Sequence, residues 1–297
     1  MKLLQFIDHG QVKLGVMTEA GIIDVEAASQ TFQIKAPTSV EEAIKGGTTA
    51  SAELDQLIIA ANENPNPAFL IEESMITYAP AVSTPQKIIC VGLNYRKHAE
   101  ETKADIPTSP ILFNKFANAL SAHEQSIVLP HTSNEVDYEA ELAIVIGRKA
   151  KDVAEADALD YVYGYCCAND LSARNLQRRT SQWMLGKSCD GFAPLGPYIV
   201  TADEISNPDN LSISCRVNGV QKQNSNTADM IFSCRTIISY ISQHMTLEPG
   251  DIILTGTPEG VVIGYPREQR VYLQSGDNVS VTIEKLGELR NTMISFH

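Results

Sequence analysis

The chain has 297 residues, 43% of them hydrophobic and 20% charged, enough for one large core plus an appendage or for two modest domains. A formal net charge of −13 excludes a nucleic-acid binder, because phosphate recognition needs clustered Lys and Arg. No apolar run reaches the roughly 18 to 20 residues of a membrane helix, and MKLLQFIDHGQVKLG does not read as a signal peptide, so the expectation is a cytoplasmic protein with no membrane partner. In chain order, KLLQFID, VKLGVMT and GIIDVEA predict strands, with turns at His9-Gly10 and Glu19-Ala20-Gly21. Ser39 and Glu42 form a capping box for a short helix, SVEEAIKG, and a second helix near 51–63 puts Leu54, Leu57, Ile58 and Ala61 on one stripe. Pro65, Pro67, Pro80 and Pro85 then mark a joint. Residues 1–80 are therefore expected to be a small N-terminal α/β appendage without catalytic residues, and 81–297 the catalytic, metal-binding domain.

Beyond Lys87 strand patterns dominate: KIICVGL, ILFNK, SIVLP, AELAIVIG, YVYGYCCAN, PLGPYIVT, LSISCRVNG, DIILTGT and NVSVTIEKL. Helical patterns occur only after Asn169 and from Asp229 to Met245. This balance predicts an α+β, β-rich chain with a mixed β-roll or sandwich core. Six cysteines without CxxC or CxxxH spacing sit in apolar surroundings and read as reduced core residues, which argues against zinc.

The chemistry concentrates in five segments. In DYEAELAIVI, strand alternation puts Glu139, Glu141, Ala143 and Val145 on one face and Tyr138, Ala140, Leu142, Ile144 and Ile146 on the other. Both faces turn apolar after Glu141, so two carboxylates about 6 to 7 Å apart at Cα converge at a buried edge. Buried neighbouring anions need a cation, and a hard ion such as Mg²⁺ or Mn²⁺ is the simplest; a solvated strand end is the plainer alternative. Asp170 follows a strand and precedes LSARNLQRR, where it fits a helix N-cap or a third metal ligand. Arg174 and Gln177 share a helix side with it and suit a pocket for a carboxylate. Lys187, in GKSCDGF, is either a surface lysine or a fixed charge inside the site. LTGTPEGV reads as a hairpin loop or as an oxyanion-binding loop offering backbone N–H groups around Gly256 and the Thr257 hydroxyl. His98 and Glu101 are i, i+3 neighbours: an exposed polar helix, or a carboxylate-supported general base.

Taken in order, GLNYRKHAEE, PILFNK, DYEAELAIVIG, NDLSARNLQ, GKSCDGF, NGVQKQ, TLEPGDIILTGTPEGV and SGDNVSVTIEKLGELRN resemble the fumarylacetoacetate hydrolase family. The resemblance covers about residues 87–297, and residues 1–80 resemble the small N-terminal domain of longer bacterial members. It implies a β-roll core with one Mg²⁺, Mn²⁺ or Ca²⁺ held by Glu139, Glu141 and Asp170. It also implies substrate and oxyanion contacts from Arg174, Gln177 and Lys187, a carboxylate-binding Thr257, and a His98–Glu101 dyad on a lid. A homodimer acting on a small anionic oxo acid is the matching expectation. Tyr265, Arg267 and Glu268 depart from the simpler glycine and proline of many relatives at this loop.

The leading expectation is metal-dependent hydrolysis of a C–C bond in a fumarylacetoacetate-like or acylpyruvate-like diketo acid. The runner-up is oxaloacetate-type decarboxylation, and a third is isomerisation of an oxo-diacid. A metal-stabilised binding protein without turnover would not require His98, Glu101 and Lys187 beside the three acids.

Overall fold

The computed structural model describes residues 1–296, and two sheets organise the chain. The larger runs from Leu70–Ile71 through Gly21–Asp24, Gln11–Thr18, Lys2–Asp8, Ala193–Thr201, Val162–Asn169, Ala140–Ile146, Ile252–Leu254 and Ile88–Gly92 to Ile111–Lys115. The smaller orders Val220–Asn226, Ser212–Val217, Asn278–Ile283, Gly287–Ser295 and Ile127–Leu129. This is the expected α+β, sheet-rich architecture.

Alternation along Ala140–Ile146 shows how the layers form. Ala140, Leu142, Ile144 and Ile146 pack in one core with Ile213, Cys215, Val279 and Val281 of the smaller sheet. Ala143 and Val145 enter a second core with Leu54 and Leu57 of the helical segment Val40–Glu63. Both faces of the central strand are thus covered, as its unbroken apolar run requires. The N-terminal strands extend the same sheet, because Lys2 and Leu3 pair antiparallel with Val200 and Ile199.

Three local readings change. The strand GIIDVEA stops at Asp24, whose side chain accepts from the Ala27 N–H and caps a helix over Val25–Phe32. Val25 and Ala28 are the buried stripe of that helix, so its period is helical where β-branched content suggested a strand. The two helices expected around 40–63 are present and separated by a kink at Gly47 (φ 54°). After Asn169, helix covers only Arg174–Gln177, while Ser172 and Ala173 bridge back to Asp137 and Val136. The later helical pattern narrows to Cys234–His244, capped by Ser233. All six cysteines are free; five are buried and Cys189 is half-buried.

Candidate active site

Glu139, Glu141 and Asp170 meet at the ends of the two central strands, where Ala140 pairs with Asn169. Each carboxylate offers an oxygen within 4.8 Å of the others, and all three residues are buried. Asp170 does not cap a helix. Its oxygens accept from Lys115 Nζ at 2.5 Å and Lys187 Nζ at 2.8 Å, so the surface alternative for Lys187 is excluded. Lys187 also donates to Glu139 Oε2 at 2.6 Å.

Arg174 is fully buried among acceptors. Its Nε reaches Asp137 Oδ2 at 2.9 Å, one terminal nitrogen Glu139 Oε1 at 2.6 Å, and the other Gln177 Oε1 at 3.0 Å. Holding Gln177 by its oxygen leaves the amide NH₂ for another acceptor, and Gln177 lines the cleft. Gly256, at φ 100° and packed against Asn94, donates its N–H to Glu141 Oε2 at 2.7 Å. That donor therefore serves the acidic cluster, and the segment is a loop rather than a hairpin. Thr257 Oγ1 accepts from Gln223 Nε2 at 2.9 Å, which leaves the hydroxyl proton to be donated into the cleft that Thr257 lines.

His98 is buried and its Nδ1 lies 2.8 Å from Glu101 Oε1. The other Glu101 oxygen accepts from the Gly260 N–H at 2.9 Å. Fixing Nδ1 leaves Nε2 as the ring nitrogen for proton transfer, and His98 lines the same cleft as Glu139 and Glu141. The Arg96–Thr102 helix thus brings His98 to the cleft of the acidic cluster. The cleft holds about 180 Å³ and has apolar walls from Val91, Phe113, Trp183 and Ile263.

Three residues outside the sequence reading complete the cluster. Lys115 ends an apolar strand, where nothing local distinguishes it from a surface lysine. Asp137 extends the alternation of Glu139 and Glu141 by one more step, a signal that was present in the pattern. Asn94, just before the Arg96–Thr102 helix, donates to Thr255 O of the glycine loop at 2.7 Å and to Phe232 O at 3.1 Å.

Charge counting tests whether a cation fits. Among the described residues, the lysines and arginines bonded to Asp137, Glu139, Glu141 and Asp170 are Lys115, Arg174 and Lys187, all buried. Burial would raise the Glu139 carboxyl, yet Arg174 and Lys187 outweigh that and hold it well below the usual carboxylate range. Among the described residues no basic side chain is bonded to Glu141, and burial, then Asp170 and Glu139, push its carboxyl well above that range. One buried anion thus lacks a counter-charge beside two other carboxylates. A divalent cation with oxygen ligands fits this donor set, and adding it would turn the cluster net positive, as an anionic substrate requires.

Sequence and structure comparisons identify the family. The fumarylacetoacetate (FAA) hydrolase C-terminal profile matches residues 87–294. A mitochondrial oxaloacetate tautomerase of Rattus norvegicus is 42% identical, covering 99% of this chain and 92% of its own length. A fumarylacetoacetate hydrolase domain-containing protein 2 homolog of Dictyostelium discoideum is 44% identical over 95% of this chain and 92% of its own. Among solved structures, a fumarylacetoacetate hydrolase from Exiguobacterium antarcticum superposes with a TM-score of 0.84 at 34% identity, covering both chains completely. Maleylpyruvate hydrolase from Sphingobium sp. SYK-6, solved with manganese(II) and pyruvate, gives 0.78 at 31% identity, again over both whole chains. With the profile spanning most of the chain and relatives above 40% identity along nearly all of it, the chain belongs to the fumarylacetoacetate hydrolase family of enzymes.

Proposed function

We propose that this chain interconverts the enol and keto forms of oxaloacetate or a closely similar 2-oxo diacid. The observation that carries the reading is the His98–Glu101 dyad closed over a small cleft walled by Glu139, Glu141, Gln177, Lys187 and Thr257. Support comes also from the oxaloacetate tautomerase relative, matched along almost its whole length. Tautomerisation moves one proton between the oxygen on C2 and the carbon C3, and consumes no water. A divalent cation held by Glu139, Glu141 and Asp170 would supply Lewis-acid polarisation of the 2-oxo acid end. His98 is assigned the proton at C3, with Glu101 fixing its tautomer and orientation. The Gln177 amide and the Thr257 hydroxyl are assigned to substrate oxygens, and Arg174 holds Gln177 in place. Lys187 pairs with Glu139 and Asp170 and adds positive potential where negative charge develops on the substrate oxygen. The 180 Å³ cleft lies below the about 300–1,000 Å³ of drug-sized sites, in keeping with a small acid.

Hydrolytic C–C cleavage of an acylpyruvate-like acid is the second reading. The same dyad suits activation of a water, and the structural likeness to maleylpyruvate hydrolase favours it. Ultraviolet absorbance separates the two. Freshly dissolved enol-oxaloacetate should lose its enol band faster with the Mn²⁺- or Mg²⁺-loaded protein, and EDTA should abolish the acceleration. An unchanged decay, with rapid loss of an acylpyruvate chromophore instead, would replace tautomerisation by hydrolysis. Pyruvate formed from oxaloacetate would point to decarboxylation. The proposal includes a homodimer, which analytical ultracentrifugation tests. No described helix is long and apolar enough to cross a membrane.

A further inference from the structure

We infer that the chain carries an outer anion-binding groove, built by Arg178, Arg267 and Arg270, that receives a small dicarboxylate beside the active-site lid. The groove has two adjoining parts. One, of about 410 Å³, is lined by Glu135, Arg178, Arg267, Arg270 and Tyr272. The other, of about 500 Å³, shares Arg178 and Arg270 with it and continues along Lys103 and Thr102 to Ile263. Thr102 and Ile263 also line the cleft of the acidic cluster, so one wall separates the groove from the site.

The charge of this surface runs against that of the molecule. At −13 overall, the protein's field repels a dianion, whereas the groove places four cations around two carboxylates. Both carboxylates are already engaged: Glu101 by His98 and the Gly260 N–H, Glu135 by Arg178 at 2.6 Å. Arg270 donates to the Tyr265 and Ile263 carbonyls at 3.0 and 2.8 Å, which fixes its guanidinium without neutralising it. Arg267 is exposed and has no carboxylate or carbonyl partner among the described residues; Glu268 beside it does not line the groove. Planar guanidinium forks fixed at a groove match carboxylates in pairs, which lysines on flexible stems do less well. Arg267 and Arg270 belong to the stretch, around Tyr265, in which the sequence departs from the simpler loop.

The inference rests on the dicarboxylate reading of the substrate, but its first test does not depend on turnover. Calorimetry on Mn²⁺-loaded protein saturated with pyruvate, a 2-oxo monocarboxylate assigned to the inner cleft, should still detect succinate binding. Arg267→Glu should abolish that heat and Arg267→Lys should retain part of it, with manganese content unchanged in both. No succinate binding to the pyruvate-saturated wild type overturns the groove, whatever reaction the enzyme performs. In the tautomerase assay, Arg267→Glu should lower kcat/KM by about tenfold at low ionic strength, the low end of the about 10–10³ that focused fields supply. Its kcat should be unchanged, and the difference should vanish in about 1 M salt, where the Debye length is about 3 Å. A kcat/KM equal to wild type at low salt would also overturn the inference. If wild-type protein binds succinate yet shows no tautomerase activity, the groove stands and the reaction assignment falls.

Discussion

Glu141 and Lys187 are both buried members of one cluster, yet their replacement should have opposite effects on the metal-free protein. Glu141 is the carboxylate without a bonded cation, so Glu141→Gln removes a group whose ionised form is disfavoured while keeping an oxygen for the Gly256 N–H. Stability measured by urea unfolding in EDTA should hold or rise. Manganese affinity should fall at least about tenfold, since even losing a group behind a ligand costs about 10–100-fold. Lys187→Met instead strips a counter-charge from both Glu139 and Asp170. Breaking a buried pair from one side costs about 3–5 kcal/mol, and the lower end applies because Arg174 and Lys115 remain as partners. Equal destabilisation by the two substitutions would show that Glu141 is not the unmatched anion. At this scale the sequence was most informative about the acids, because strand alternation is a short-range rule that aligns Glu139 and Glu141 without further help. Lys115 was not legible: its partner Asp170 lies 55 residues away, and no local pattern distinguishes a buried lysine from an exposed one.

Elements decide whether the His98–Glu101 dyad is assembled. The Arg96–Thr102 helix is short and has no side-chain cap at its N-terminus, so its position depends on contacts beyond itself. One is the Gly260 N–H on Glu101; another is the 3₁₀ turn Val262–Gly264, whose amides at Val262 and Ile263 are held by Asp137 at 2.9 and 3.3 Å. A β-carbon at Gly264 would overlap the Glu101 carboxylate. Gly264→Ala should therefore displace Glu101 and weaken its bond to His98 while leaving the metal ligands in place. The expected result is unchanged manganese content, faster hydrogen exchange over 96–104, and a kcat lowered by about 10²-fold, the low end of what a positioned acid–base group contributes. Wild-type kcat with wild-type exchange would show that the glycine is not needed for the dyad. The i, i+3 spacing makes this pair visible in the sequence, but its anchor, the Gly260 N–H, lies more than 150 positions away. The same distance effect shortened the helix after Asn169. Pairing of Ser172 and Ala173 with Asp137 and Val136, together with the lysine contacts of Asp170, overrides the local helical pattern.

For the whole molecule, the consequential feature is that residues 1–80 share the sheet that carries the site. Prolines between 65 and 85 set this segment apart in the sequence, but a strand's pairing partner cannot be read from its own residues, so the join at Val200 and Ile199 was not legible. Leu3, Leu14, Val16, Ile23, Leu54, Leu57 and Phe69 cover Ala143, Val145, Cys166 and Ile199, the outer face of the central strands. Each such side chain is 2% exposed or less and is worth about 1.5–3 kcal/mol when fully buried. Several of them together equal the about 5–15 kcal/mol net stability of a typical protein. Leu4, Phe6, Ile22 and Tyr78 enter the other core as well, so the segment contributes to both faces. A fragment comprising residues 81–297 should consequently fail to fold, although it contains every proposed ligand and the dyad. Full-length protein should unfold in one cooperative thermal transition, and the fragment should be aggregated or lack a transition altogether, as judged by size-exclusion chromatography and calorimetry. A monodisperse fragment with its own transition would make the catalytic domain independent. Manganese binding by that fragment would then show that Ala143 and Val145 can lose their cover without disturbing Glu139 and Glu141 at the other end of the same strand face.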